Sequence, residues 1–194
     1  MAKRQTNFYS DGYYHLYNRG AGRNLIFFEH ANYRFMLKYV LKYADEHDHG
    51  ILAYCLMPNH YHFLLHQRGD IPAGRTVQLA LNRYTKTLNR RYGRSGTLFE
   101  GPYRAKEVNT LPYLRRVCAY IHANPAKAGL VRKPEQWMFS NYRQWIEKGR
   151  KTRDERQFIR THFLNGASYK AFVDEMLDPS NAPRWDEDRS LYLL

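Results

Sequence analysis

Two histidines separated by one residue are the first candidates for chemistry in this sequence. His60 and His62 follow an apolar run at residues 51–57 and the dipeptide Pro58-Asn59. Side chains two apart on a strand share a face, with Cα atoms roughly 6.5 Å apart, so both imidazoles could reach one divalent ion. His-x-His pairs also occur on ordinary edge strands, so a metal site needs support from the surrounding elements.

The residues around this pair predict a β-hairpin. Seven apolar residues are too few for a helix, and Pro-Asn suits the centre of a tight turn. A two-residue loop sets the partners of the two strands. On the histidine face it would pair Met57 with His60, Cys55 with His62 and Ala53 with Leu64. On the other face it would pair Leu56 with Tyr61, Tyr54 with Phe63 and Leu52 with Leu65. One face is therefore expected to pack on a helix, and the histidine face, lined by small side chains, is expected to leave room for an ion.

A second constellation follows on a predicted helix over residues 110–124, which begins with a Thr cap and has Pro112 in its first turn. At 100° per residue, Tyr120 lies about 110° from the centre of the apolar stripe and need not belong to the core. Asn124 lies one turn later on the same side, whereas His122 points away. Pro125 is expected to end the helix at Asn124.

The remaining periodicities predict an α+β fold. Strands at 13–18, 51–57, 60–66 and 97–108, the last one broken at Gly101-Pro102, alternate with helices at 29–49 and 75–92. This is the β-α-β-β-α-β order of a ferredoxin-like antiparallel sheet, followed by the tyrosine-bearing helix. Residues 1–150, closed by aromatic residues at 137–145, form the predicted main domain. Residues 151–194 form a helical extension, with helices at about 154–164 and 168–177 and a polar tail.

The charge of the chain indicates its partner. With 194 residues, a formal net charge of +13 and 15% aromatic residues, the sequence favours nucleic acid, and basic residues among aromatic ones suit single strands. The candidate DNA contacts are Arg19 and Arg23 in a glycine-containing loop, Arg83, Lys86, Arg90 and Arg91 on the second helix, and Arg104 and Lys106, which share one face of the last strand.

Cysteine usage and hydropathy indicate the compartment. Cys55 and Cys118 lie in apolar runs and are expected to be buried thiols of a reducing compartment. No segment reaches the length of a membrane span, so we expect a cytoplasmic, nucleoid-associated protein without a membrane partner.

The segments MPNHYHFLL and YLRRVCAYIHANPAKAGLV together resemble the HUH single-tyrosine transposases. Within that family the sequence most resembles the REP-associated tyrosine transposases. The aromatic segment WMFSNY of this sequence also resembles that subgroup. The resemblance covers about residues 10–145. It implies that residues 1–150 form a nuclease domain that cuts and rejoins single-stranded DNA at hairpin-bearing, REP-type sites, as a monomer or homodimer. It further implies that His60 and His62 hold Mg²⁺ or Mn²⁺, that Tyr120 is the nucleophile, and that Asn124 is the third protein ligand, where many relatives outside the subgroup have Gln.

Other interpretations remain open from the residues alone. A ferredoxin-like sheet could bind single strands by stacking without catalysis. A rolling-circle replication initiator would use similar chemistry, but it generally needs further domains. A metal phosphohydrolase is disfavoured because carboxylates are missing near the hairpin. His66 shares the histidine face as a candidate general acid or outer ligand, although a structural role is favoured. The acidic C-terminal tail, including residues 186–188, is either solvated or folded over the DNA surface.

Overall fold

The fold is a four-stranded antiparallel sheet with helices on both faces. The computed structural model describes residues 6–147 and 152–178. The strands are β1 (Gly12–Arg19), β2 (His49–Met57), β3 (His60–Gln67) and β4 (Arg104–Glu107), in the sheet order β2-β3-β1-β4. The helices are α1 (His30–Glu46), α2 (Ala73–Arg91), α3 (Leu111–Lys127), α4 (Tyr142–Ile146), α5 (Arg153–Phe163) and α6 (Gly166–Leu177), with short 3-10 turns at Ala21–Arg23 and Pro134–Gln136. The predicted α+β, ferredoxin-like β-α-β-β-α-β order followed by a tyrosine-bearing helix is confirmed.

The hairpin β2–β3 has the predicted register at its turn. Met57 pairs with His60, Cys55 with His62, and Ala53 with Leu64. The predicted pair of Leu52 with Leu65 is wrong, because an irregularity between Ile51 and Ala53 places Ile51 opposite Leu65 instead. Leu52 then belongs to the apolar cluster on the histidine side of the sheet.

Each face of the sheet carries its own apolar cluster. On one face, large side chains of the strands pack against α1 and α2; they include Tyr14, Leu16, Tyr61, Phe63 and Leu65. On the other face, Ala53, Cys55 and Leu64 pack under α3, with residues of α4, α5 and α6 completing the cluster. The expectation that the small residues leave open space is wrong: Ala53 and Cys55 are fully buried because α3 lies on them.

Helix α3 differs from its prediction in length, and Tyr120 on it is buried. It continues through Pro125 to Lys127, since the bond lost at the proline does not prevent the next turn, in which the Ala128 N–H donates to the Asn124 carbonyl at 2.9 Å. Tyr120 is only 6% exposed and belongs to the apolar cluster under α3, although its position on the helix did not require burial there.

Two other element boundaries differ from the predictions. Helix α1 ends at Glu46 and β2 begins at His49, with Asp48 between them at a φ of 53°. Of the predicted strand at 97–108, only Arg104–Glu107 pairs with a neighbouring strand as β4. Before it, Phe99 makes an isolated β-bridge with Gly20.

The aromatic segment and the C-terminal helices close the structure. The Phe139 carbonyl accepts the Leu56 N–H at 2.9 Å and the Phe139 ring stacks on Tyr33, which covers the free edge of β2. Helices α5 and α6, close to their predicted positions, pack around α3 through Phe163, Tyr169 and Val173.

The division into domains at residue 150 stays a prediction, and most of the acidic tail lies outside the described residues. Over the described ranges, no helix is both long and apolar enough to cross a membrane. Cys55 and Cys118 are buried free thiols.

Candidate active site

Three predicted metal-ligating side chains meet where β3 passes under α3. His60 Nε2 lies 3.2 Å from Asn124 Oδ1, and His62 Nε2 lies 3.4 Å from Asn124 Nδ2. Both histidines thus direct the same ring nitrogen towards one amide. The imidazole rings are nearly perpendicular, with centroids 5.2 Å apart. The structure brings the predicted trio together, while its role in binding metal stays a prediction.

The hydrogen bonds of His60 fit a site for a cation. Its Nδ1 lies 2.7 Å from Asn59 Oδ1, and the Asn59 amide nitrogen donates to the Arg23 carbonyl at 3.2 Å. Burial lowers the pKa of His60, so the neutral ring is favoured. A neutral imidazole has one N–H and cannot donate to both Asn59 Oδ1 and Asn124 Oδ1. With the proton on Nδ1, the Nε2 lone pair faces an oxygen lone pair, and a divalent ion near both would relieve that repulsion.

His62 is held by a residue that the sequence did not single out. Its Nδ1 lies 2.9 Å from Nε2 of His15 on β1, and both side chains are fully buried. Burial, and then the neighbouring His15 and His60, keep the pKa of His62 well below its usual range. Burial, and then the charge of Lys106, lower the pKa of His15 to about 3. His15 lay in a predicted strand, but only the pairing of β1 with β3 shows that it faces His62.

The candidate nucleophile lies beside this pair. The Tyr120 ring meets the His62 ring edge-on at a centroid distance of 5.4 Å and the His15 ring at 6.3 Å. Asn124 follows one helical turn later on the same helix. Lys127, a further turn on, has its Nζ 5.9 Å from the Tyr120 ring centroid. Sequence reasoning missed Lys127 because Pro125 was expected to end the helix; its spacing of seven residues from Tyr120 was the available signal.

The donor set is unlike that of a carboxylate metal site. Among the residues that the structure describes, no three His, Cys, Asp or Glu side chains cluster as a metal site. A metal at His60 and His62 would therefore take its third protein ligand from the Asn124 amide. Two imidazoles and one amide oxygen fit a divalent ion that completes its coordination with water or substrate oxygens.

Strand pairing places several predicted DNA contacts on the histidine face. Tyr17 pairs with both His62 and Arg104, and His15 pairs with Lys106, so Arg104 and Lys106 share the face of the histidines. Arg19 pairs with His60, but its guanidinium is bound to the Glu100 carboxylate, with Nη2 2.9 Å from Oε1. The side chain of Arg23 is exposed, and its backbone carbonyl accepts the hydrogen bond from the Asn59 amide nitrogen.

The predicted contacts on α2 lie elsewhere. Arg83, Lys86, Arg90 and Arg91 are exposed on a helix that packs against the opposite face of the sheet, so the structure does not bring them to the histidines. Arg83 lies over the Tyr39 ring at 4.4 Å, and Arg91 pairs with Glu29 at 2.8 Å.

Two other histidines are separate from the site. His66 stacks on Tyr13 and lines, with Arg68 and Asp154, a cavity of about 760 Å³ to which none of His60, His62 and Tyr120 contributes. His122 bonds to the Tyr169 hydroxyl at 2.6 Å and to Asn141 Oδ1 at 2.9 Å, so it points away from Tyr120 as predicted.

The fold and the site define a ferredoxin-like protein in which a histidine pair on the sheet faces a tyrosine on a helix. The family model "Transposase IS200 like" matches residues 8–124, more than half of the sequence. The chain therefore belongs to the IS200-like transposase family, which confirms the resemblance. His15, His60, His62, Tyr120 and Asn124 all lie within the matched residues.

A solved structure supports the fold. It is described as a REP-associated tyrosine transposase bound to a REP hairpin, and it matches with a TM-score of 0.66 and 16% identity, covering 78% of this chain and 89% of that chain. At this identity the likeness shows the fold alone. No curated protein matches the sequence significantly.

Proposed function

We propose that this chain is a metal-dependent single-stranded DNA endonuclease and strand transferase that acts at hairpin-bearing, REP-type sites through a 5′-phosphotyrosine intermediate. The observation that carries the proposal is the approach of the Tyr120 ring to His62, with the Asn124 amide between the imidazoles of His60 and His62. The similarity to a transposase solved with a REP hairpin and the net charge of +13 support the choice of substrate.

The proposed reaction exchanges one phosphate ester for another. The Tyr120 oxygen forms a bond to the scissile phosphorus, and the bond from phosphorus to the 3′ oxygen breaks. The phenol loses its proton, and the departing 3′ oxygen takes one up. Because the phosphotyrosine retains the ester linkage, a different 3′-hydroxyl can reverse the step and join two strands.

His60, His62 and Asn124 would hold the metal, Mg²⁺ or Mn²⁺, and the two imidazoles favour Mn²⁺. Such an ion, when bound, supplies Lewis-acid polarisation of the phosphate and offsets charge on the leaving oxygen. The protein's own contribution is the fixed placement of the Tyr120 ring against His62, which holds the nucleophile beside the bound phosphate.

Positive side chains complete the proposed site. A free phenol has a pKa of about 10, and a nearby positive charge such as that of Lys127 favours the phenolate. Arg104 and Lys106 are proposed to contact backbone phosphates on the histidine face. We propose further contacts to the DNA backbone from two groups of residues. Arg19, opposite His60, and Arg23, in the turn after β1, lie near the site. The more distant group is on α2 and comprises Arg83, Lys86, Arg90 and Arg91. We place the enzyme in the cytoplasm with the nucleoid, as a monomer or homodimer.

The test uses labelled single-stranded hairpin DNA taken from the sequence that flanks the protein's own coding region, incubated with Mn²⁺. Wild-type protein should give a covalent protein–DNA adduct on a denaturing gel. Tyr120→Phe should abolish cleavage and adduct, because the attacking oxygen is gone, and should leave hairpin binding nearly unchanged.

The matched control is Tyr142→Phe, which removes a buried hydroxyl that has no hydrogen-bond partner among the described residues, and it should still form the adduct. Cleavage by Tyr120→Phe would refute the nucleophile assignment. Binding by the wild type with neither cleavage nor adduct would favour the non-catalytic single-strand binder.

A further inference from the structure

His15 is a buried histidine whose surroundings are unusual. It is fully buried on β1, its Nε2 meets His62 Nδ1, and its own Nδ1 has no hydrogen-bond partner among the described residues. An unpaired buried polar atom is costly, so its retention beside a candidate metal ligand requires an explanation.

The contact between the two rings is a direct hydrogen bond. The nitrogens are 2.9 Å apart while the ring centroids are 5.1 Å apart, and the rings are inclined by only 25°. The two nitrogens therefore lie between the rings and point at each other. One proton occupies this bond, and its position decides which nitrogen of His62 is left with a lone pair.

The two candidate ligands have matching surroundings. His60 Nδ1 faces an oxygen of Asn59, and His62 Nδ1 faces a nitrogen of His15. In both rings the opposite nitrogen, Nε2, faces the Asn124 amide. Histidines that bind metal almost always donate their other N–H to a neighbouring acceptor, which fixes the ring and its tautomer. Asn59 supplies that acceptor for His60.

We propose that His15 is the positioning residue of the metal site: its Nε2 accepts the Nδ1 proton of His62 and so leaves the Nε2 lone pair of His62 free for a divalent cation. This inference rests on the proposed metal site at His60 and His62. In this arrangement the proton of His15 lies on its Nδ1, the buried nitrogen that has no hydrogen-bond partner among the described residues. The free energy lost at that unpaired N–H is the cost of holding His62 in the tautomer that can bind a metal. The edge-on contact of His15 with Tyr120 ties the nucleophile to the same ring pair.

The experiment compares two substitutions of His15 in the full chain by titration calorimetry with Mn²⁺ alone, without DNA. His15→Phe keeps a ring but removes the acceptor, and it should weaken Mn²⁺ binding by about 10- to 100-fold. His15→Gln places an amide oxygen near the position of Nε2 and should recover most of that affinity. His66→Gln, a histidine substitution on the same face of β3, should bind Mn²⁺ like the wild type.

A second readout does not depend on the variants folding. Long-range ¹⁵N NMR of the metal-free wild type should show His62 protonated at Nδ1 and unprotonated at Nε2. The opposite tautomer would overturn the inference, as would wild-type Mn²⁺ affinity in a folded His15→Phe.

The two failures can be told apart with His60→Ala. If the wild type binds Mn²⁺ and His60→Ala does not, but His15→Phe binds as well as the wild type, only the role of His15 is refuted. If neither the wild type nor His60→Ala binds Mn²⁺, the proposed metal site itself is refuted.

Discussion

At the scale of single residues, the length of the Asn124 side chain is explained by what lies beneath its helix. The asparagine side chain is short, so its amide reaches the histidines only if the helix that carries it lies close to the sheet. Ala53 and Cys55, which lie opposite Leu64 and His62, are small enough for α3 to pack directly on them. The small residues predicted to leave room for an ion instead bring the amide within 3.2 Å of His60.

The buried side chain of His122 gives a prediction about the dependence of stability on pH. Burial lowers the pKa of His122 to about 4, against an unfolded value of about 6.5. Between these values the unfolded chain binds more protons than the folded one, so this contribution to stability is present above pH 6.5 and is lost as the pH falls towards 4. We expect the loss of this contribution to lower the free energy of unfolding by about 2 kcal/mol between pH 7 and pH 5.

Urea unfolding of wild type and His122→Gln at both pH values measures this contribution. The variant should be less stable at pH 7 but should lose less stability on acidification. The exposed Asn109, which does not titrate, provides the control, since Asn109→Gln should keep the wild-type dependence. An unchanged dependence in His122→Gln would assign the acid sensitivity to other groups.

At the scale of elements, one asparagine holds the irregular part of β2. Fully buried Asn141 accepts the Tyr54 N–H at 2.8 Å and donates to the Leu52 carbonyl at 2.8 Å and to Glu155 Oε1 at 2.7 Å. The same amide oxygen bonds to His122. Asn141 therefore joins the edge strand β2 to helices α3 and α5, and it satisfies backbone groups of Leu52 and Tyr54 on the edge of that strand.

Asn141→Leu should destabilise the protein by at least about 3 kcal/mol, because it leaves several buried polar groups unpaired at about 1–3 kcal/mol each. Urea unfolding monitored by circular dichroism checks this value. Asn109→Leu changes an exposed residue and should shift stability by no more than about 0.5 kcal/mol. Equal stability of the two variants would show that the Asn141 network is replaceable.

At the scale of the whole molecule, positive charge is divided between two sides of the sheet. Arg104 and Lys106 lie on the histidine face, whereas Arg83 and Lys86 lie on the outer surface of α2 across the sheet. A DNA strand bound at the proposed site of His60 and Tyr120 would meet the first pair directly, but it would have to pass around the molecule to meet the second.

Binding of single-stranded hairpin DNA across a salt series can separate the two sides. Arg104→Gln with Lys106→Gln should weaken binding, slow cleavage and reduce the slope of log K against log salt by about 1 to 2, since each lost contact to a single strand contributes about 0.7. Arg83→Gln with Lys86→Gln should reduce affinity less. A larger loss from the α2 pair would show that the DNA backbone follows α2.

The sequence by itself determined the features that depend on local geometry. Alternation along β3 placed His60 and His62 on one face, the two-residue turn set their partners on β2, and helical spacing put Asn124 one turn after Tyr120. These relations follow from repeats of two residues in a strand and 3.6 in a helix, which need no knowledge of distant parts of the chain.

Only the tertiary structure decided contacts between elements far apart in sequence. The register of β1 against β3 brought His15 to His62, packing carried α3 past Pro125 to Lys127, and the irregularity in β2 left Leu52 outside the ladder, where its carbonyl accepts from Asn141. Each outcome depends on which surfaces meet once the chain is compact, because burial and hydrogen-bond satisfaction outweigh local preferences there.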